Sequence, residues 1–210
     1  MEGIEIEEIV KQIEIANVMT KEWSEKNKYT SFNSWKGLAY IDHYRAIAEG
    51  EFLPPIEASI DLVADCQLSC RWCNSYSFLR PGGSLYDSMK MRKMPPARLR
   101  DLVEFLLDWG VKGFCLGGGG DPSLHESCPD IIQQIIERRR EVAFVTNGIS
   151  ISDNLIDALS LCRWIGFSID AGNAKEYQQL KGLDVFWRVL GNLERLVTKT
   201  GPGCDISYKF

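Results

Sequence analysis

The sequence predicts an α/β fold built on a parallel sheet, with a helical extension over residues 1–53 in front of it. Two observations lead there. From residue 57 short β-rich runs alternate with longer amphipathic ones, the order that implies parallel strands joined by right-handed crossovers. Before that point the text reads as helical and charged until "FLPP" (52–55), where proline cannot continue a helix and restricts the residue before it.

In the extension, "IEEIVKQIEIANVMTKEW" places Ile9, Val10, Ile13 and Val18 on one side, and "SWKGLAYIDHYRAIAEG" offers a second amphipathic stretch that stops at Gly50. The core, residues 54–210, then starts with a strand in "EASIDLVA" (57–64). "PPARLRDLVEFLLDWG" opens with prolines suited to a first helical turn and carries Leu99, Leu102, Val103, Leu106 and Leu107 as one stripe. "VKGFCLG" (111–117) is a second strand. "CPDIIQQIIERRR" is a helix with Ile131, Ile132, Ile135 and Ile136 inward and arginines at the end where the helix dipole favours cations. "EVAFVTNG" is a third strand, and "SDNLIDALSLC" a helix with Ser152 as its N-cap. "WIGFSIDAG" is a fourth strand. "NAKEYQQLKG" has Asn173 and Glu176 at capping-box spacing and a glycine stop. The last helix, in "VFWRVLGNLERLVTKTG", buries Phe186, Val189, Leu190, Leu193, Leu196 and Val197, and "CDISYKF" begins a fifth strand.

Composition excludes several functions. A net charge of −5 provides no basic footprint for nucleic acid, and no apolar run approaches the length that spans a bilayer. The acidic start lacks the order of a secretory signal, and seven cysteines, an odd number, do not form a disulfide framework. A cytoplasmic chain with reduced thiols is expected.

Ligands of parallel α/β sheets gather at the carboxyl ends of the strands. There this chain carries three cysteines after the first strand, "GGGGDP" after the second, "TNG" after the third, and Ser168 and Asp170 on the fourth. Cys66, Cys70 and Cys73 are spaced C-x3-C-x2-C. Structural zinc closes a tetrahedron with four ligands, generally from two separated pairs, and neither histidine adjoins the triplet. Three thiolates on one loop suit a cubane cluster with one iron left open. The spacing favours the cluster over zinc or three unrelated thiols. The remaining cysteines, Cys115, Cys128, Cys162 and Cys204, lack ligand-like spacing and read as small hydrophobes.

With these motifs in order, residues 57–210 resemble the radical S-adenosylmethionine (SAM) enzyme superfamily. Its cysteine signature has an aromatic residue before the last cysteine, and "CQLSCRWC" has Trp72 there. Its GGE-proline signature is similar to "GGGDP", Gly118 to Pro122, and "TNG" and "SIDAG" match its third and fourth strand ends. The resemblance implies a partial (β/α) barrel holding a [4Fe–4S] cluster on Cys66, Cys70 and Cys73. It implies SAM chelated to the open iron and cleaved to methionine and a 5′-deoxyadenosyl radical that abstracts a substrate hydrogen. SAM contacts would come from Trp72, Gly118, Gly119, Gly120, Asp121, Asn147, Ser168 and Asp170, with the methionyl amino group at the glycines. An electron donor such as a flavodoxin or ferredoxin is implied, with a small-molecule or peptide substrate of the peptide-modifying or cofactor-building kind.

The departure is Asp121, one methylene shorter than the usual glutamate, which keeps backbone contacts but puts carboxylate contacts in question. Asn147 also reads as a turn former, and Asp170 equally as a turn or cap residue. Ser168 and Asp170, two apart, are expected on one face of their strand. The loop 75–94 mixes aromatic and basic residues and is a candidate substrate contact. The resemblance implies further βα units beyond the fifth strand, so the chain reads as truncated. The alternatives are a non-catalytic iron–sulfur or zinc-binding module and a glycyl-radical activase.

Overall fold

The computed structural model describes residues 40–89 and 91–209. The chain separates into two units, Met1–Leu53 and Pro54–Phe210. The first helical stretch expected in the extension lies outside the described residues. The second forms α1 (Ile41–Glu49), closed by Gly50 at φ 77°, whose N–H donates to the Ala46 and Ile47 carbonyls.

The second unit alternates as its periodicity requires. The order is β1 (Glu57–Asp61), α2 (Tyr76–Leu79), α3 (Pro96–Trp109), β2 (Gly113–Gly117), a 3₁₀ turn (Pro122–Leu124), α4 (Cys128–Glu137), β3 (Glu141–Thr146), α5 (Asp153–Leu159), β4 (Trp164–Ser168), α6 (Ala174–Lys181), α7 (Phe186–Lys199) and β5 (Asp205–Lys209). All four pairings are parallel, and the strands lie side by side in sequence order, β1-β2-β3-β4-β5. With right-handed crossovers, an order that never reverses sends every helix to the same face. This is part of a (β/α) barrel rather than a doubly wound sheet.

The two faces differ accordingly. Ile60, Phe114, Leu116, Val142, Phe144, Ile165 and Phe167 point to the helices and are buried with Leu99, Val103, Ile131, Ile132, Ile135, Leu155 and Val189. The register sets the opposite, concave face in layers: Ser59, Cys115, Ala143 and Trp164 in one, Asp61 and Gly117 in the next, and Ser168 beside Lys209 at the carboxyl rim. That face carries polar and small side chains toward the carboxyl rim, with the Trp164 indole lying across Gly166 at the other end.

Local signals for the helices are met in detail. Ser152 accepts from the Leu155 N–H and Asn173 from the Glu176 N–H, while Glu176 accepts from Gly172, one residue before the cap. One expectation fails. Val197 is 55% exposed, because α7 turns Phe186, Val189, Asn192 and Leu196 to the core. Val197 follows Leu196 by one residue, about 100° around the helix, and so faces outward. Among the described residues no helix is long and apolar enough to cross a membrane.

Candidate functional site at the carboxyl rim

Beyond β1 the chain is clamped from both sides before it reaches the cysteines. On one side, residues 92–94 pair antiparallel with it, Ala64 N–H donating to the Arg92 carbonyl and Met94 N–H to that of Leu62. On the other, the Gly120 N–H donates to the Val63 carbonyl at 3.1 Å and the Asp121 N–H to that of Asp65 at 2.9 Å. A Cβ on Gly120 would lie 2.2 Å from the Asp65 carbonyl oxygen, so only glycine permits this approach.

The cysteine loop is then fastened to the last turn of α6. Ser69 N–H donates to the Lys181 carbonyl at 2.8 Å and Arg71 N–H to that of Leu180 at 3.1 Å. Within the loop the Cys73 N–H donates to the Cys70 carbonyl, and the Leu68 side chain is buried beneath. Cys66, Cys70 and Cys73 are half-buried free thiols. Burial pushes the Cys66 thiol up, with a smaller push from the Asp121 carboxylate. Burial also raises Cys70, opposed by the nearby Lys181 ammonium.

The glycine segment is held by Asp61 on the concave face. Its carboxylate accepts from the Gly119 N–H at 3.0 Å, and a Cβ on Gly118, which has φ 110°, would overlap that carboxylate. With the amides of Gly119 and Gly120 engaged, the segment has carbonyl oxygens to offer a ligand.

Asp121 is 3% exposed and faces inward rather than toward the rim. Its carboxylate accepts from the Ser123 N–H and hydroxyl, the Thr146 hydroxyl and the Asn147 N–H, the last at 2.6 Å. Burial lifts its pKa from the ordinary value, and these donors oppose the rise. The carboxylate therefore ties the glycine turn to the "TNG" turn. Asn147 forms the turn, its Oδ1 accepting from the Ile149 N–H, while its Nδ2 reaches the Cys66 sulfur at 3.6 Å and Gln67 Oε1 at 3.1 Å.

Ser168 ends β4 half-buried on the concave face. Asp170 follows two residues on, its N–H still donating to the Lys209 carbonyl of β5 at 2.7 Å. Its φ is 54°, and its carboxylate forms an ion pair with the buried Lys181. Trp72 is 53% exposed, with the Lys181 Nζ 5.5 Å from its ring centroid. Cys128 and Cys162 are buried and Cys115 and Cys204 half-buried.

The donor set fits an iron–sulfur cluster better than zinc. Three half-buried thiols on one loop are the donor set of a cubane, on which each thiolate takes its own iron. His125 is no fourth zinc ligand, since its Nε2 binds the Met94 carbonyl at 2.7 Å and its Nδ1 accepts from the Ser127 N–H. Sequence reasoning missed Asp61, Gln67, Tyr177 and Lys181 as neighbours of the site. Of these only Tyr177 and Lys181 left a sign, a four-residue spacing that puts both on one face of α6.

Comparison with known proteins agrees with this geometry. A family model described as the radical SAM superfamily matches residues 60–208. The probable GTP 3',8-cyclase of Pyrococcus abyssi is 26% identical over 145 residues, covering 68% of this chain and 44% of that protein. The antilisterial bacteriocin subtilosin biosynthesis protein AlbA of Bacillus subtilis is 22% identical over 135 residues, 63% of this chain and 28% of that protein. The chain thus spans less than half the length of these curated relatives. In fold, the crystal structure of Streptococcus suis SuiB bound to S-adenosylmethionine superposes with a TM-score of 0.59 at 15% identity, over 95% of this chain and 45% of that one.

Proposed function

The chain belongs to the radical SAM superfamily, whose members use a [4Fe–4S] cluster and SAM, and from that premise we propose that it cleaves SAM reductively to abstract hydrogen from a substrate. One observation carries the proposal. A loop bearing three half-buried thiols is held at the carboxyl rim of a partial barrel, between the glycine turn after β2 and the end of α6.

In this reading Cys66, Cys70 and Cys73 hold three irons. The cluster supplies the electron that splits SAM into methionine and the 5′-deoxyadenosyl radical. Carbonyls of Gly118–Gly120 receive the methionyl ammonium, held in position by Asp61 and by the Val63 and Asp65 carbonyls. Asp121 contributes by fixing the backbone, not through a free carboxylate, so the shorter side chain is no obstacle. Ser168 presents its hydroxyl to the SAM carboxylate or ribose, and Trp72 stacks near the adenine or screens the cluster. Asn147 steadies the Cys66 sulfur. The rim end of the concave face, where Asp61 and Gly117 stand, admits the substrate.

The substrate class follows the peptide-modifying or cofactor-building type. Support comes from relatives named as GTP 3',8-cyclases and as a bacteriocin biosynthesis protein, and from the SuiB structure with its precursor peptide SuiA. The electron would come from a flavodoxin- or ferredoxin-like donor. The test is anaerobic reconstitution with iron and sulfide, reduction, and assay of 5′-deoxyadenosine. Product from the wild type and none from Cys70→Ala is expected. A cluster without product would leave a binding module, and zinc on the cysteines would overturn the ligand assignment.

A further inference from the structure

Among the described residues the Tyr177 hydroxyl is the buried side-chain polar group left without a hydrogen-bond partner. Tyr177 is 0% exposed, and a phenol there costs stability unless something receives its proton. Its position points to the receiver. It lies one turn before Lys181 on the face of α6 that braces the cysteine loop, where Leu180 and Lys181 carbonyls accept from Arg71 and Ser69. A Cβ on Gly182 would lie 2.9 Å from the Ser69 Cβ, so helix and loop are in close contact.

Burial pushes the Tyr177 phenol up, and the Cys70 and Cys66 thiols, then Asp121 and Asp170, add to the push. The Asp121 carboxylate is filled by its own donors, and that of Asp170 is paired with Lys181. That leaves sulfur. The ring cannot swing freely, since it packs against Phe186 with centroids 5.7 Å apart.

We propose that Tyr177 donates its O–H to a sulfur of the cluster, a thiolate of Cys66 or Cys70 or a bridging sulfide, and thereby raises the reduction potential of that cluster. The proposal rests on the cluster reading given above. The reduced cluster carries one more negative charge than the oxidised one, so a donor aimed at its sulfur stabilises the reduced form more. Lys181 is less suited to this role because Asp170 offsets its charge. Tyr177 is an uncompensated donor.

The test compares reconstituted wild type with Tyr177→Phe, which keeps the ring and removes one oxygen. Iron and sulfide content should be unchanged. The midpoint potential, titrated with mediators and followed by electron paramagnetic resonance, should fall. A shift on the order of tenfold in the reduced-to-oxidised ratio at fixed potential is expected, or about 59 mV for one electron. The iron–sulfur stretching bands should shift between H2O and D2O in the wild type and lose that shift in the variant. Should Tyr177→Phe fail to load iron, 3,5-difluorotyrosine at position 177 decides, since its more acidic O–H must move the midpoint upward. Equal midpoints at equal iron content overturn the inference and leave the cluster reading intact. A wild type that takes up no iron overturns both.

Discussion

The Asp121 carboxylate joins two turns, and its energetic role follows from the donors it accepts. Replacing it with alanine leaves the Asn147 N–H and the Thr146 hydroxyl buried and unpaired. Asp121→Ala should therefore cost about 2–4 kcal/mol in urea unfolding of the cluster-free protein, more than the loss of a single surface contact. The same variant should weaken SAM binding through disorder of the glycine turn, measured by equilibrium dialysis. The sequence marks Asp121 as a rim residue because it follows a strand and four glycines. Its partners were not legible, since Thr146 lies 25 residues away and meets it only once β2 and β3 are paired. The partner of Asp170 was hidden in the same manner, since Lys181 reaches its carboxylate from the far end of α6.

Helices and strands were legible where the signal was local. Prolines open α3, Ser152 and Asn173 cap α5 and α6, and hydrophobic stripes mark the buried faces. What escaped is a polar residue doing core work. Asn192 sits on the buried stripe of α7, where its Nδ2 donates to the Gly148 and Ile149 carbonyls at 2.8 and 3.2 Å. It holds the turn after β3 that carries Asn147. Asn192→Ala should destabilise the protein by about 2 kcal/mol, exceeding the roughly 1 kcal/mol expected of the cap variant Ser152→Ala. Paired urea titrations decide the order. Hydrophobic periodicity could not reveal Asn192, because an amide on an apolar stripe registers only as a gap. The loop 75–94 was likewise legible as irregular but not as the clamp it forms, with residues 92–94 pairing beside β1.

The core of the second unit takes in Leu68 from the cysteine loop but none of its three thiols. The buried cluster of side chains runs between the sheet and its helices, with Cys66 and Cys70 only packed against its margin. A variant with all three of Cys66, Cys70 and Cys73 changed to serine should keep its far-ultraviolet circular dichroism and unfold cooperatively, within about 2 kcal/mol of the cluster-free wild type. Collapse of that variant would instead give the thiols a part in folding. The strand order was legible as parallel from alternation alone, but the curl was not; it follows from an order that never reverses. The bond from Asn147 to Cys66 spans 81 residues of chain, and its consequence concerns time. Zinc fingers are folded by the metal that their short segments seize. Here the rim is assembled from distant stretches, and parallel pairings of long sequence separation form slowly. Assembly of the rim must precede cofactor capture, so in a refolding experiment iron uptake should lag behind the recovery of secondary structure.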